Sequence, residues 1–96
     1  MKIGDLRDGM RNVNIVAKVL EISEPREVQS RYGGQTFRVA TATISDETGR
    51  INLSLWNEQI DQVSVNDTVR IENGYTKSFR GEVQLNVGRY GKLSVS

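Results

Sequence analysis

The chain has 96 residues, and its thirteen Lys and Arg residues nearly balance twelve Asp and Glu residues, for a net charge of +1. That length makes one domain with one core. With no cysteine and no histidine, disulfides, thiolate metal sites and the commonest general base are excluded.

Residues 1–12 form a polar lead-in with turn pairs at Gly4-Asp5 and Asp8-Gly9, and Leu6 and Met10 are its anchors. The N-terminus has no apolar signal core, and no apolar run approaches the ~18 residues of a membrane span. A soluble protein of the cytoplasm is the expectation. The first predicted strand is Val13–Ile22. Val13, Ile15, Ala17 and Val19 alternate, then Leu20 and Ile22 shift the phase, which predicts a bent or bulged strand. Pro25 is the only proline and cannot donate to a ladder, so it marks the strand's end or an edge. Residues 27–35, with Arg31-Tyr32-Gly33-Gly34, read as a hairpin loop.

The second strand, Thr36–Ser45, points Ala40, Ala42 and Ile44 inward and Thr41 and Thr43 outward. Asp46-Glu47-Thr48-Gly49 is a turn. The third strand, Arg50–Trp56, alternates Ile51, Leu53 and Leu55 with Asn52, Ser54 and Trp56. Period two therefore sends the single tryptophan to the polar face. Asn57–Val63 is the one helix, about two turns long, with Asn57 as its cap and Ile60 and Val63 on one face. Asn66-Asp67 is a turn, and the fourth strand is Thr68–Tyr75 with Val69 and Ile71 inward. Residues 76–81 read as a polar, basic loop. The fifth strand is Glu82–Val87, with Val83, Leu85 and Val87 in phase, and residues 88–96 close the domain.

The fold class is therefore all-β: a five-stranded OB-fold barrel, with one short helix between strands three and four, filling residues 1–96 as a single domain. In that fold strands two and three form the ligand face, flanked by the loops between strands one and two and between four and five. Trp56 ends strand three, and Phe79 lies in the polar loop. Tyr75 is open: strict parity puts it inward with Val69 and Ile71, whereas a bulge at Gly74 would turn it out. Exposed aromatics in a basic groove act as stacking platforms for bases. Lys77 and Arg80 bracket one loop, and Arg26, Arg31 and Arg38 bracket the other, as candidates for phosphate contact. Asn52, Ser54 and Thr41 are small polar groups of the groove floor, able to hydrogen-bond bases or simply to keep that face soluble. Asp46 is explained as a turn residue, and neither it nor Glu47 nor Asp61 has a visible partner for acid–base or metal work. No enzyme, metal site or cofactor is expected.

Leu20-Glu21, Asp46-Glu47-Thr48-Gly49-Arg50-Ile51, Leu55-Trp56, residues 69–75, Phe79-Arg80-Gly81 and residues 83–88 together resemble the archaeal single-OB-fold single-stranded DNA-binding proteins. They are also similar to the metazoan single-OB relatives and to the OB domains of replication protein A. The resemblance runs from about Leu6 to Gly91. It implies sequence-tolerant binding of single-stranded DNA in replication, recombination and repair, with bases stacked on Trp56, Tyr75 and Phe79. Gly74 is then the device that turns Tyr75 outward. Some relatives carry a further aromatic where Asn86 stands; this chain departs from them there and offers no fourth ring, and Asn86 is counted among the candidate site residues as a polar group. Archaeal members often have a flexible tail for protein contacts. This chain lacks it, so a trimmed core or a tail-less, monomeric member is expected. An RNA-binding OB module of the anticodon type and a protein-interaction OB-fold are the alternatives.

Overall fold

A computed structural model describes residues 1–30, 32–88 and 90–95. It places strands at Val13–Ile22 (β1), Arg26–Gln29 (β2), Thr36–Asp46 (β3), Gly49–Trp56 (β4), Thr68–Phe79 (β5), Glu82–Asn86 (β6) and Lys92–Val95 (β7). A five-residue helix, Glu58–Gln62 (α1), follows β4, and a 3-10 turn, Ile3–Asp5, opens the chain. β1, β3, β4, β6 and β5 pair in that order, and β5 pairs back with β1. The five strands expected from alternation thus close into the OB-fold ring. β4 and β6 are parallel; the other ladders of the ring are antiparallel.

The ring closes because β1 serves two neighbours. Val13–Lys18 pair with β5, and Lys18–Ile22 pair with β3. The register slips between Val19 and Glu21, where alternation changes phase, and a bulge of this kind bends a strand and sharpens its twist. Val13, Ile15, Ala17 and Val19 then fill the core with Ala42, Ile44, Leu53, Leu55, Val69, Ile71 and Leu85. α1 brings Ile60 into the same core, and Val63 follows it.

Four elements differ from the reading by sequence. β2 is a short edge strand on β3, where a loop was expected. All four of its residues are exposed, so no alternation marks them. Pro25 does stand in the break between β1 and β2. β5 does not stop at Tyr75 but runs on to Phe79, so residues 76–79 are strand. The hairpin that follows turns on Arg80 and Gly81 alone, both at positive φ (51° and 82°), the backbone that tight two-residue hairpins require. The inward position there is held by Thr76, only 4% exposed. A polar residue in a core position hid the alternation. It is tolerated because its hydroxyl donates to the Arg7 carbonyl and accepts from the Met10 amide at 2.9 Å. Asn57 does not cap α1 with its side chain; its Oδ1 instead accepts the Arg38 amide at 3.1 Å. Finally, Lys92–Val95 form a strand on the outer edge of β5.

The lead-in is part of the fold. Ile3 is buried in the core. The Ile3 amide donates to Asp46 Oδ2 at 2.8 Å, and the Gly4 amide to Thr48 Oγ1 at 2.8 Å. Lys2 Nζ lies 2.5 Å from Glu47 Oε1, which raises the lysine pKa and lowers that of the glutamate, hydrogen bonding being the largest cause for both. Burial pushes the Asp46 carboxyl up. Hydrogen bonds from the Ile3 amide, the Thr48 hydroxyl and the Thr48 and Gly49 amides outweigh it and hold the group down, at about 2. The β3–β4 turn is thus locked to the N-terminus.

Candidate nucleic-acid interface

Strand pairing sorts the outward side chains into rows, because residues directly opposite in a ladder point to the same face. Arg26, Val39 and Trp56 form the first row, across β2, β3 and β4. Thr41, Ser54, Asn86 and Tyr75 form the second, across β3, β4, β6 and β5. Thr43, Asn52, Gln84 and Lys77 form the third. Phe79 opposes Glu82 at the far end of the β5–β6 ladder. A groove of about 410 Å³ runs over the first two rows and the Gln84 and Lys77 end of the third, walled by the rings of Trp56, Tyr75 and Phe79.

Tyr75 belongs here because of one extra residue in β5. Ile15 pairs with Ile71, yet Val13 pairs with Gly74, so three steps along β5 match two along β1. Asn73 takes up the excess at φ 54°, a left-handed conformation that Asn enters more easily than most residues. Beyond it the inward positions are Gly74 and Thr76, and Tyr75, Lys77 and Phe79 all face out. The bulge expected at Gly74 is therefore made by its neighbour. Gly74 meets a separate demand: a Cβ there would lie 3.0 Å from both the Asn86 carbonyl oxygen and Ile71 Cγ2. The three rings are 41%, 40% and 54% exposed (Trp56, Tyr75, Phe79), far more than core residues. Gln59 Oε1 accepts the Trp56 amide at 3.0 Å and fixes the strand end that carries the indole.

Of the residues singled out by sequence, Trp56, Tyr75, Phe79, Lys77, Arg26, Ser54, Thr41 and Asn86 line the groove. Asn52 shares the face but lies beyond the groove, in a hollow with Arg50 and Glu82; its Oδ1 accepts the Thr43 hydroxyl at 3.4 Å. Arg80 stands in the hairpin turn with its guanidinium carbon 5.3 Å from the Phe79 ring centre, a cation–π contact. Arg38 points the other way. It shares the phase of Ala40 and Ala42, and its Nη2 meets Asp61 Oδ2 at 3.0 Å beside α1. Arg31 lies outside the described residues. Val28, Val39 and Gln84 line the groove as well and were not singled out. Alternation with Ala40 and with Leu85 marks Val39 and Gln84 as outward; exposed β2 offers no such signal for Val28.

The charges divide in the same way. Among the described residues, Arg26, Lys77 and Arg80 have no carboxylate within 4.0 Å, whereas Arg38 and Lys2 each do. No described wall residue of the groove is acidic. Stacking surfaces, free cations and neutral hydrogen-bonding groups are thus gathered on one face.

A family described as "Single-stranded DNA binding protein Ssb-like, OB fold" matches residues 6–95. The "Single-stranded DNA binding protein Ssb" of Saccharolobus solfataricus is 40% identical over 93 residues, which cover 97% of this chain and 62% of that protein. "Replication factor A" of Methanothermobacter thermautotrophicus is 38% identical over 98 residues, covering 96% of this chain and 12% of that protein. The chain thus spans less than two thirds of either relative. The solution structure of an OB domain from Thermoplasma acidophilum superposes with a TM-score of 0.84 at 29% identity, covering all of this chain and 85% of that one. On fold, face and sequence together, the chain belongs to the Ssb-like, OB-fold family of single-stranded DNA-binding proteins.

Proposed function

We propose that the chain binds single-stranded DNA with little regard to sequence, as a monomer and without catalysis, and so shields exposed strands in replication, recombination and repair. Bases stack on Trp56, Tyr75 and Phe79; Arg26, Lys77 and Arg80 hold phosphates; Thr41, Ser54 and Asn86 offer hydrogen bonds to base edges. The observation that carries this reading is the presence of three exposed rings on the face where no described cation has an acidic partner. A base has a π face whatever its identity, and each stack contributes about 1–3 kcal/mol, so affinity without sequence choice is the natural result.

Trp56 is the only tryptophan, so its fluorescence reports the groove directly. Oligo(dT) quenches it on binding, and oligo(U) competes less well. Unchanged emission with no gel shift at low salt would overturn the proposal; stronger competition by oligo(U) would redirect it to RNA.

A further inference from the structure

Tyr75 and Lys77 line a second hollow as well as the groove. It opens past Tyr75 along the β5–β6 ladder, at the end away from Phe79, and measures about 470 Å³ against about 410 Å³ for the groove. Its other walls come from three places that the groove does not use. Met10, Arg11 and Asn12 belong to the lead-in, Asn73 and Gly74 to the β5 bulge, and Gly88 and Tyr90 to the turn after β6.

The chemistry of these walls matches that of the groove. Arg11 is exposed and has no carboxylate within 4.0 Å among the described residues. Tyr90 is 83% exposed. Asn12 and Asn73 bring neutral amides. No described residue of either hollow is acidic, whereas two other hollows on the surface include Glu72 and Glu82. The two acid-free hollows are therefore neighbours, joined by one aromatic ring and one lysine. Gly88 keeps the junction open: a Cβ there would sit 3.0 Å from Tyr75 Cε1, so any larger residue would push on the ring.

We propose that the second hollow takes a further nucleotide of the same strand, continuing from the Tyr75 stack, with its phosphate on Arg11 and its base against Tyr90. This rests on the single-strand reading of the groove. The lead-in then has a second task besides completing the fold, because its polar end carries a phosphate contact.

The test is an affinity series with oligo(dT) of about three to about eight nucleotides, within and just below the footprints of single OB-folds. Wild type, Arg11→Ala and Tyr90→Ala are compared by Trp56 quenching. Both side chains are solvent-exposed, and matching melting curves establish that the three proteins are equally folded. Short oligonucleotides bind all three alike. Longer ones gain roughly tenfold in wild type, the size of one stack, and both variants lose that gain. For long oligonucleotides only, Arg11→Ala also flattens the slope of log K against log[salt] by about 0.7. Variants that keep the gain, or that weaken short and long oligonucleotides equally, overturn the extension and leave the groove standing. Absence of wild-type binding at every length overturns the groove reading and the extension with it.

Discussion

The two ends of the β3–β4 hairpin are built from the same two strands and do opposite things. At the turn both carboxylates are answered from within: Asp46 accepts the Ile3 and Thr48 amides and the Thr48 hydroxyl, and Glu47 meets Lys2. At the open end, Trp56 and Arg26, with Val39 between them, face solvent, and among the described residues no groove wall is acidic and no carboxylate lies within 4.0 Å of Arg26. The difference teaches where binding free energy can be stored. A group already satisfied by the fold gains little from a ligand, whereas an exposed ring and a free cation keep their interactions for a partner.

That contrast makes separable predictions. Trp56→Ala has the largest effect, weakening oligo(dT) by about 1–3 kcal/mol with no change in melting temperature, as titration and thermal unfolding together would establish. Asp46→Ala behaves conversely: stability falls by about 1–2 kcal/mol as charge-assisted hydrogen bonds are lost, while affinity measured well below the melting temperature is unchanged. If each substitution moved both quantities, the division between the two ends would fail.

Acid sharpens the turn end. The Asp46 carboxyl is held at about 2, below its ordinary 3.8. The folded state therefore binds that proton less readily than the unfolded chain. Its contribution to stability is complete above about pH 4–5 and is lost as pH falls through about 2. In acid titrations monitored by circular dichroism, Asp46→Asn removes that component and leaves the rest of the curve in place. Salt sharpens the groove end. Lys77→Ala and Arg26→Ala each reduce the slope of log K against log[salt] by about 0.7, and Arg38→Ala, whose partner is Asp61, leaves it unchanged. The smallest effect is on stability: loss of the exposed Arg38–Asp61 pair costs no more than about 1 kcal/mol.

The ring of strands was legible because the core faces of β1, β3 and β4 alternate with period two, and Trp56 fell on the outer face by the same count. Arg38 was legible in principle too, since the phase that buries Ala40 and Ala42 also takes Arg38 off the groove; its grouping with Arg26 and Arg31 around one loop concealed this. Other features had no local mark. β2 buries nothing, so its pairing is written only in the backbone of β3. The second half of β5 looked like a loop because Thr76 fills a core position, and the partners that satisfy it, Arg7 and Met10, lie far away in the chain. The phase of Tyr75 depends on an inserted residue whose effect appears only against β1. Gly74 drew attention by its composition, yet Asn73 adopts the unusual backbone.

Closure of the ring also governs when the groove comes into being. Met10 and Thr76, which meet at the seam, are separated by 66 positions in sequence, and the outward set of Tyr75, Lys77 and Phe79 is phased by the β1–β5 ladder. Such non-local pairing slows folding, toward milliseconds to seconds for small barrels. The β3–β4 hairpin is a local pairing that presents Trp56 by itself, whereas the three rings share one groove only with β1 docked on β5. Recovery of DNA binding in a refolding experiment is thus a clock for the final long-range contact.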